Sequence, residues 1–447
     1  MDHVIMSVGL NELPVLVAAY RLCCTKWSAQ SVLPRFSILC SEESVVEAQR
    51  VRAALETRLR EEGISIPLEW QHVLVDPYRP KSVREAVSQV IQTDRHWQND
   101  RNYTFHLHHT GGTSIMGVHA LEAIEEARGS VPSRFKREIT YLSGRENVLR
   151  DSAETIFAGG FDERRDWQMD IRKLAGLHGY KLNRVHQPSA NLISVGCDMV
   201  ALLKNQQSNR RYAEWLRTLP KKLDRLVGDS SEPRSLTWAG IPSGDTTWDE
   251  ISSRIGEVFQ NDLRFKPGWL DKSPGGWVID RSALDANQLQ RFRKFIHYEC
   301  LELLAFDELR RALNEVKPPR RTDVHHSVEL RRGQQRQCEI DVLAVCGYDL
   351  LAVSCSMSAG DKPKEKGFEI MYRARQIGGT NARGIVVCAE DPRSARAIQD
   401  ELEDDIGGRG QGRSVTIWGR DVIDDPDLLR ERFRNYLADD MKWGSLP

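Results

Sequence analysis

Glu339-Ile340-Asp341-Val342-Leu343-Ala344-Val345-Cys346-Gly347-Tyr348-Asp349-Leu350-Leu351-Ala352-Val353-Ser354-Cys355-Ser356 is the stretch whose reading decides the fold of the C-terminal third. Residues 339–345 and 350–354 are apolar runs of strand length, and Gly347-Tyr348-Asp349 between them reads as a turn. Ahead of them lies a further strand at 326–330, and before that a long helical pattern at 288–315 stopped by Pro318 and Pro319. Behind them, 367–376 reads as a helix ended by Gly378-Gly379, followed by strands at 384–389 and 414–418 and helices at 394–404 and 427–438. The order α-β-β-β-α-β-α-β-α over residues 287–447 predicts an α/β domain.

Residues 1–150 alternate in the same way but with a strictly parallel rhythm. Strands are expected at 3–10, 35–40, 70–76, 103–109 and 138–143, with helices at 12–24, 44–62, 81–93 and 114–128 between them. Strands separated by helices of this length imply a Rossmann-like parallel sheet with right-handed crossovers. Residues 151–286 read as a connector or small helical module, with helices at 174–180, 212–226 and 248–259. Gly, Pro, Ser and Asp crowd 230–245 and 266–276, which mark loops.

The 447 residues allow two or three domains. With 40% hydrophobic and 28% charged residues the composition is ordinary for a globular chain. A formal net charge of -1 excludes a whole-protein positive field, so a nucleic-acid site has to be a local patch. The nine cysteines include no C-x-x-C pair, and Cys40, Cys346, Cys355 and Cys388 sit in strand-like runs, as buried thiols of a reducing compartment do. No signal-like leader and no apolar run of membrane-spanning length is present, so a cytoplasmic protein without a membrane partner is expected.

His108-His109-Thr110-Gly111-Gly112-Thr113-Ser114 follows the fourth strand and opens a helix. In an open parallel sheet ligands sit at the carboxyl ends of strands. Paired glycines let the backbone approach a ligand, and a helix N-terminus favours an anion. Thr110, Gly111, Gly112, Thr113 and Ser114 are therefore candidate contacts to a phosphate or nucleotide backbone, with Gly9, Leu10 and Asn11 of the first strand's loop beside them. The plainer alternative is a strand-to-helix turn with Thr113 as its cap.

The Thr-Gly-Gly-Thr loop at the fourth strand of such a sheet resembles the CARF domain of CRISPR-ancillary effectors, and the C-terminal part resembles the PD-(D/E)xK, restriction-endonuclease-like nuclease domain that accompanies some of them (the DUF1887-like architecture). The two ends together make up about two-thirds of the chain. The resemblance implies a homodimer with a cyclic oligoadenylate on its two-fold axis, DNA or RNA as substrate, and Mg²⁺ or Mn²⁺ as cofactor.

It also implies two carboxylates and a lysine in the C-terminal domain. Asp341 matches the strand carboxylate, while Ser354 and Ser356 stand where the family has Glu and Lys. Three alternatives remain open: the missing groups have moved to Lys362, Lys364, Lys366 and Glu369; the fold persists without the chemistry; or Asp341 is an ordinary surface carboxylate. Asp341, Glu369 and Lys366 are the candidate catalytic residues, and Asp341 with Glu299 the candidate metal ligands. Glu299 and Glu302 lie three apart on one helix face, and another register puts His297 in that place. Arg320, Arg321, Arg331, Arg332 and Arg336 are either phosphate contacts or solvated loop cations. His325 and His326 have no partner spacing that argues for zinc. The functional expectation is a cyclic-oligonucleotide-sensing, metal-dependent nuclease, or alternatively a non-catalytic sensor with a degenerate nuclease fold.

Overall fold

A computed structural model describes residues 3–9, 11–24, 33–64, 67–94, 103–130, 136–143, 148–151, 169–204, 235–237, 246–273, 276–280, 283–318, 322–333, 335–357, 362–379, 381–406, 414–441 and 443. The candidate residue Leu10, the expected helix at 212–226, and Arg320 and Arg321 lie outside them.

The N-terminal sheet contains β1 (His3–Ser7), β2 (Arg35–Cys40), β3 (Trp70–Leu74), β4 (Thr104–His108), β5 (Lys136–Ser143) and β6 (Val148–Asp151). Their order is β3-β2-β1-β4-β5-β6, parallel throughout except for β6, which returns antiparallel along β5. Val4, Ile5 and Met6 of β1 are fully buried, because helices cover both faces of a parallel sheet and leave its central strand no solvent side. The strand order reverses between β1 and β4, and the loops carrying Gly9 and Gly111 leave the sheet at that switch point.

The connecting region is richer in structure than its sequence suggests. The stretches read as loops at 230–245 and 266–276 contain β8 (Ser235–Thr237), β9 (Leu270–Ser273) and the start of β10 (Gly276–Asp280). These pair as a small antiparallel sheet in the order β8-β10-β9. Strands of three to five residues are too short to display a period against their glycines and prolines, although Trp269, Leu270, Trp277 and Ile279 are buried. Ahead of them, β7 (Lys181–His186) and the helix Ala190–Lys204 carried no expectation at all.

β7 joins the C-terminal sheet. That sheet contains β11 (Thr322–Arg332), β12 (Gln335–Cys346), β13 (Asp349–Ser356), β14 (Arg383–Cys388) and β15 (Val415–Trp418) in the order β15-β14-β13-β12-β11-β7. Its β7 to β13 side is antiparallel and its β13 to β15 side parallel. The expected long helix is two helices, Ala286–Lys294 and Cys300–Val316, linked by a π-helical turn at Phe295–Glu299. Asp285 and Gln288 close a capping box at its start. The helix Lys362–Gly378 follows β13 and ends at Gly379, which has φ +72° as the paired glycines predict.

One apolar core runs from the first sheet into the second. Leu16 and Val51 of the N-terminal helices, Leu174 of the short helix Ile171–Leu177, Leu343 of β12, and Ile370 and Ile377 of the 362–378 helix belong to it. At its edge buried Glu12 holds Arg50 at 2.7 Å and His178 at 2.9 Å, which ties the first sheet's helices to the connecting region. Among the described residues no helix is long and apolar enough to cross a membrane. Cys40, Cys346, Cys355 and Cys388 are buried thiols.

Candidate functional sites

The two loops at the switch point pack against each other through their glycines. A Cβ on Gly9 would lie 2.4 Å from the Gly111 carbonyl oxygen, and one on Gly112 would lie 2.5 Å from Ser7 Cβ. Gly111 has φ +141°, which side chains rarely tolerate. The loops line an open cavity of about 440 Å³ together with Asn11, Thr113, Tyr78, Glu43, Arg375 and Gly379. Thr110 and Ser114 flank the loop outside this lining. The Thr113 hydroxyl accepts from the Met116 N–H at 3.2 Å and donates to the Pro77 carbonyl at 2.9 Å, so it caps the following helix. Tyr78, 74% exposed, presents an aromatic ring at the cavity that no sequence pattern singled out. Below the loop, His108 is completely buried, and burial pushes its imidazole down to about 3, with His106 and His109 adding to the effect.

The second cavity, about 660 Å³, opens on the C-terminal sheet. Asp341, Glu299, Lys366 and Glu369 all line it, as do Lys362, Glu302 and Ser356. Asp341 projects from β12, and its Oδ2 accepts from the Cys355 N–H at 2.7 Å and from the Ser354 hydroxyl at 3.1 Å. Ser354 thus occupies the place next to Asp341 as a donor, where a carboxylate would add charge. Burial raises the Asp341 carboxyl to about 7, the Glu302 charge adds to the rise, and the Cys355 N–H, Lys366 and Ser354 oppose it. Glu302 is raised to about 8 by burial and by the charges of Glu299 and Glu339. Two half-buried acids that resist ionisation in one cavity form a place where a cation would be stabilised.

Other candidates already have partners among the side chains. Glu299 takes both terminal nitrogens of Arg291, one of them at 2.6 Å. Glu369 pairs with Lys366 at 3.1 Å and with Arg373 at 2.5 Å. Lys364 turns away to Glu401 and Asp405. Arg331 and Arg332 are exposed, and Arg332 lies over the Tyr180 ring at 5.8 Å; neither lines the cavity. The cavity's basic residues are instead Arg184, Arg291, Lys294, Lys362 and Lys366. The side chains of His297 and Arg336 lie outside the described residues.

His326 has no partner at metal-ligand spacing in the sequence, but the fold places one beside it. β7 brings His186 beside it, with the two Nδ1 atoms 3.3 Å apart, and Glu299 completes a cluster whose candidate ligand atoms all lie within 4.8 Å. Burial holds both imidazoles below the usual histidine range. The pairing was invisible in the sequence because β7 stands 140 residues away from β11.

The two sheets define the class of fold, a Rossmann-like parallel-sheet lobe joined to a second α/β lobe with a mixed sheet. The chain is similar to the crystal structure of protein VC1899 from Vibrio cholerae at 13% identity, with 97% of this chain and 98% of that one covered and a TM-score of 0.62. It is similar to Can2 from Sulfobacillus thermosulfidooxidans, solved in complex with cyclic tetra-adenylate, at 14% identity, with 100% of each chain covered and a TM-score of 0.60. No protein-family model and no curated protein matches it. The resemblance to a CARF domain joined to a nuclease domain, drawn from two motifs, is borne out as a likeness of fold over the full length.

Proposed function

We propose that this protein binds a cyclic oligoadenylate in the cavity at Gly9 and Gly111, and that binding licenses metal-dependent hydrolysis of nucleic-acid phosphodiesters at Asp341. The observation that carries the reading is that one helix, Lys362–Gly378, reaches both sites: Lys362, Lys366 and Glu369 line the C-terminal cavity, while Arg375 and the adjoining Gly379 line the N-terminal one. Sensing is assigned to residues 1–150 and the chemistry to 287–447, with 151–286 contributing β7 to the second sheet. The Can2 complex supports the choice of ligand class. A homodimer with the ligand on its two-fold axis is part of the same reading.

The donor set suits a hard divalent ion. Asp341 and Glu302 offer oxygen ligands, half-buried and resisting ionisation, as suits Mg²⁺ and Mn²⁺. Such an ion supplies a water of lowered pKa and neutralises charge on the phosphate. The chain's own part is positional. Cys355 and Ser354 hold Asp341 in one orientation. Lys366 is placed to offset charge near Asp341, and the basic residues at the rim draw in a phosphate backbone.

A second reading, a sensor without catalysis, draws its support from Ser354 and Ser356, which replace an acid and a base. Cleavage of labelled single-stranded DNA and RNA, with and without cyclic tetra-adenylate, across a Mg²⁺ and Mn²⁺ series, decides between them. Ligand-dependent cleavage that disappears in Asp341→Ala is the expected result. A parent inert under every condition favours the non-catalytic sensor.

A further inference from the structure

We propose that His186, Glu299 and His326 form a second metal site in the C-terminal cavity, built for a borderline transition ion of the zinc type and distinct from the oxygen site at Asp341. The three residues come from three elements: β7, the π-helical turn and β11. Their candidate ligand atoms lie within 4.8 Å of one another. Two imidazole nitrogens bound at about 2.0–2.1 Å to a tetrahedral ion stand roughly 3.3–3.4 Å apart. The His186 and His326 Nδ1 atoms are 3.3 Å apart.

The surroundings suit ligation as well. His326 is fully buried, and its other ring nitrogen, Nε2, lies 3.4 Å from Glu302 Oε2. Ligating histidines commonly give their second ring N–H to a carboxylate, which fixes the tautomer and turns the free lone pair to the ion. With Nε2 protonated toward Glu302, the lone pair of His326 Nδ1 points at His186. Glu299 is buried, and Arg291 grips it. A carboxylate has about four acceptor positions, so Arg291 can hold Glu299 in place and leave lone pairs for an ion. Imidazole donors select zinc, cobalt, nickel or iron over Mg²⁺, which demands oxygen. The alternative account of the 3.3 Å contact is a histidine–histidine hydrogen bond only.

This inference uses ligands other than Asp341 and Glu302, with Glu302 only an outer partner of His326, and stands whether or not the cavity cleaves nucleic acid. The test takes the full chain, stripped by chelator, and titrates it with Co²⁺ as a visible probe. The expected result is about one equivalent of Co²⁺ with d–d absorption, displaced by an equivalent of Zn²⁺ but not by excess Mg²⁺. His186→Ala is expected to weaken Co²⁺ binding by more than about 100-fold, beyond the loss typical of an outer partner. His186 is half-buried, so this variant keeps its fold, which its unfolding temperature checks. Asp341→Asn is expected to keep the absorption, which separates this site from the proposed nuclease site. Absence of the absorption in the folded parent, or its survival in His186→Ala, overturns the proposal and leaves the hydrogen bond.

Discussion

The two cavities are built from opposite materials. The N-terminal one is made of backbone: Gly9, Gly111 and Gly112 interlock, and its charged lining residues are Glu43 and Arg375. The C-terminal one is made of ionisable side chains, with Asp341 and Glu302 raised to about 7 and 8 and lysines and arginines around them. The first is shaped by backbone, with one acid and one base in its lining; the second carries charge that burial opposes. Substitutions should therefore act through sterics in the first and through electrostatics in the second.

The sharpest way to break this contrast is Asp341→Ala. Under the proposed function it lowers ligand-activated cleavage by more than about 100-fold, because a direct metal ligand matters more than an outer partner. Steady-state cleavage of a labelled strand measures it, and a parent-like rate would remove Asp341 from the site. Gly9→Ala tests the steric half. Its methyl collides with the Gly111 carbonyl, at an expected cost of about 1–3 kcal/mol, read in denaturant unfolding, together with weaker binding of cyclic tetra-adenylate in calorimetry. Gly63→Ala is the control: φ is +77° there, but nothing lies within 4 Å, so only the backbone cost of about 1 kcal/mol applies.

Tyr78→Ala should weaken the same ligand by about 10-fold if the ring stacks on a base. Stability should stay within about 0.5 kcal/mol of the parent, because the side chain is largely exposed. Equal affinity in parent and variant would leave the cavity without a base-stacking platform. The smallest effect sharpens the electrostatic half. Asp341 and Glu302 bind protons more tightly folded than unfolded, so the stability they contribute is complete below their ordinary carboxylate range. It is lost as pH rises through about 7 and 8. Metal-free parent should thus lose stability between pH 5 and 8, by on the order of 1–2 kcal/mol relative to Asp341→Asn. Paired thermal melts across that range check it, and parallel curves would contradict the raised pKa values.

The same contrast explains what the sequence disclosed. The N-terminal sheet was legible almost strand for strand, because buried parallel strands and amphipathic helices alternate there, and a Gly-Gly pair marks a backbone requirement at a single locus. β12 and β13 were legible too, with Asp341 between Ile340 and Val342. Glu299 and Glu302 could not be told apart, since both lie on one helix face and only the folded π turn shows Arg291 gripping Glu299. Tyr78 sits in a loop with no pattern around it. His186 was out of reach because its partner is supplied by sheet pairing with β11, a long-range contact that no local spacing encodes.

The helix Lys362–Gly378 has a mechanical consequence. From Gly379 back to Lys366 is about 20 Å at a helical rise of 1.5 Å per residue. Gly379 rests against Asn11, to the point that a Cβ there would come within 2.8 Å of its Oδ1. A rigid tilt of only about 1.5° about that end carries Lys366 roughly 0.5 Å, the tolerance within which a catalytic constellation has to be held. The helix is a lever pivoted on the N-terminal lobe, and the geometry of the distant cavity is set by an angle.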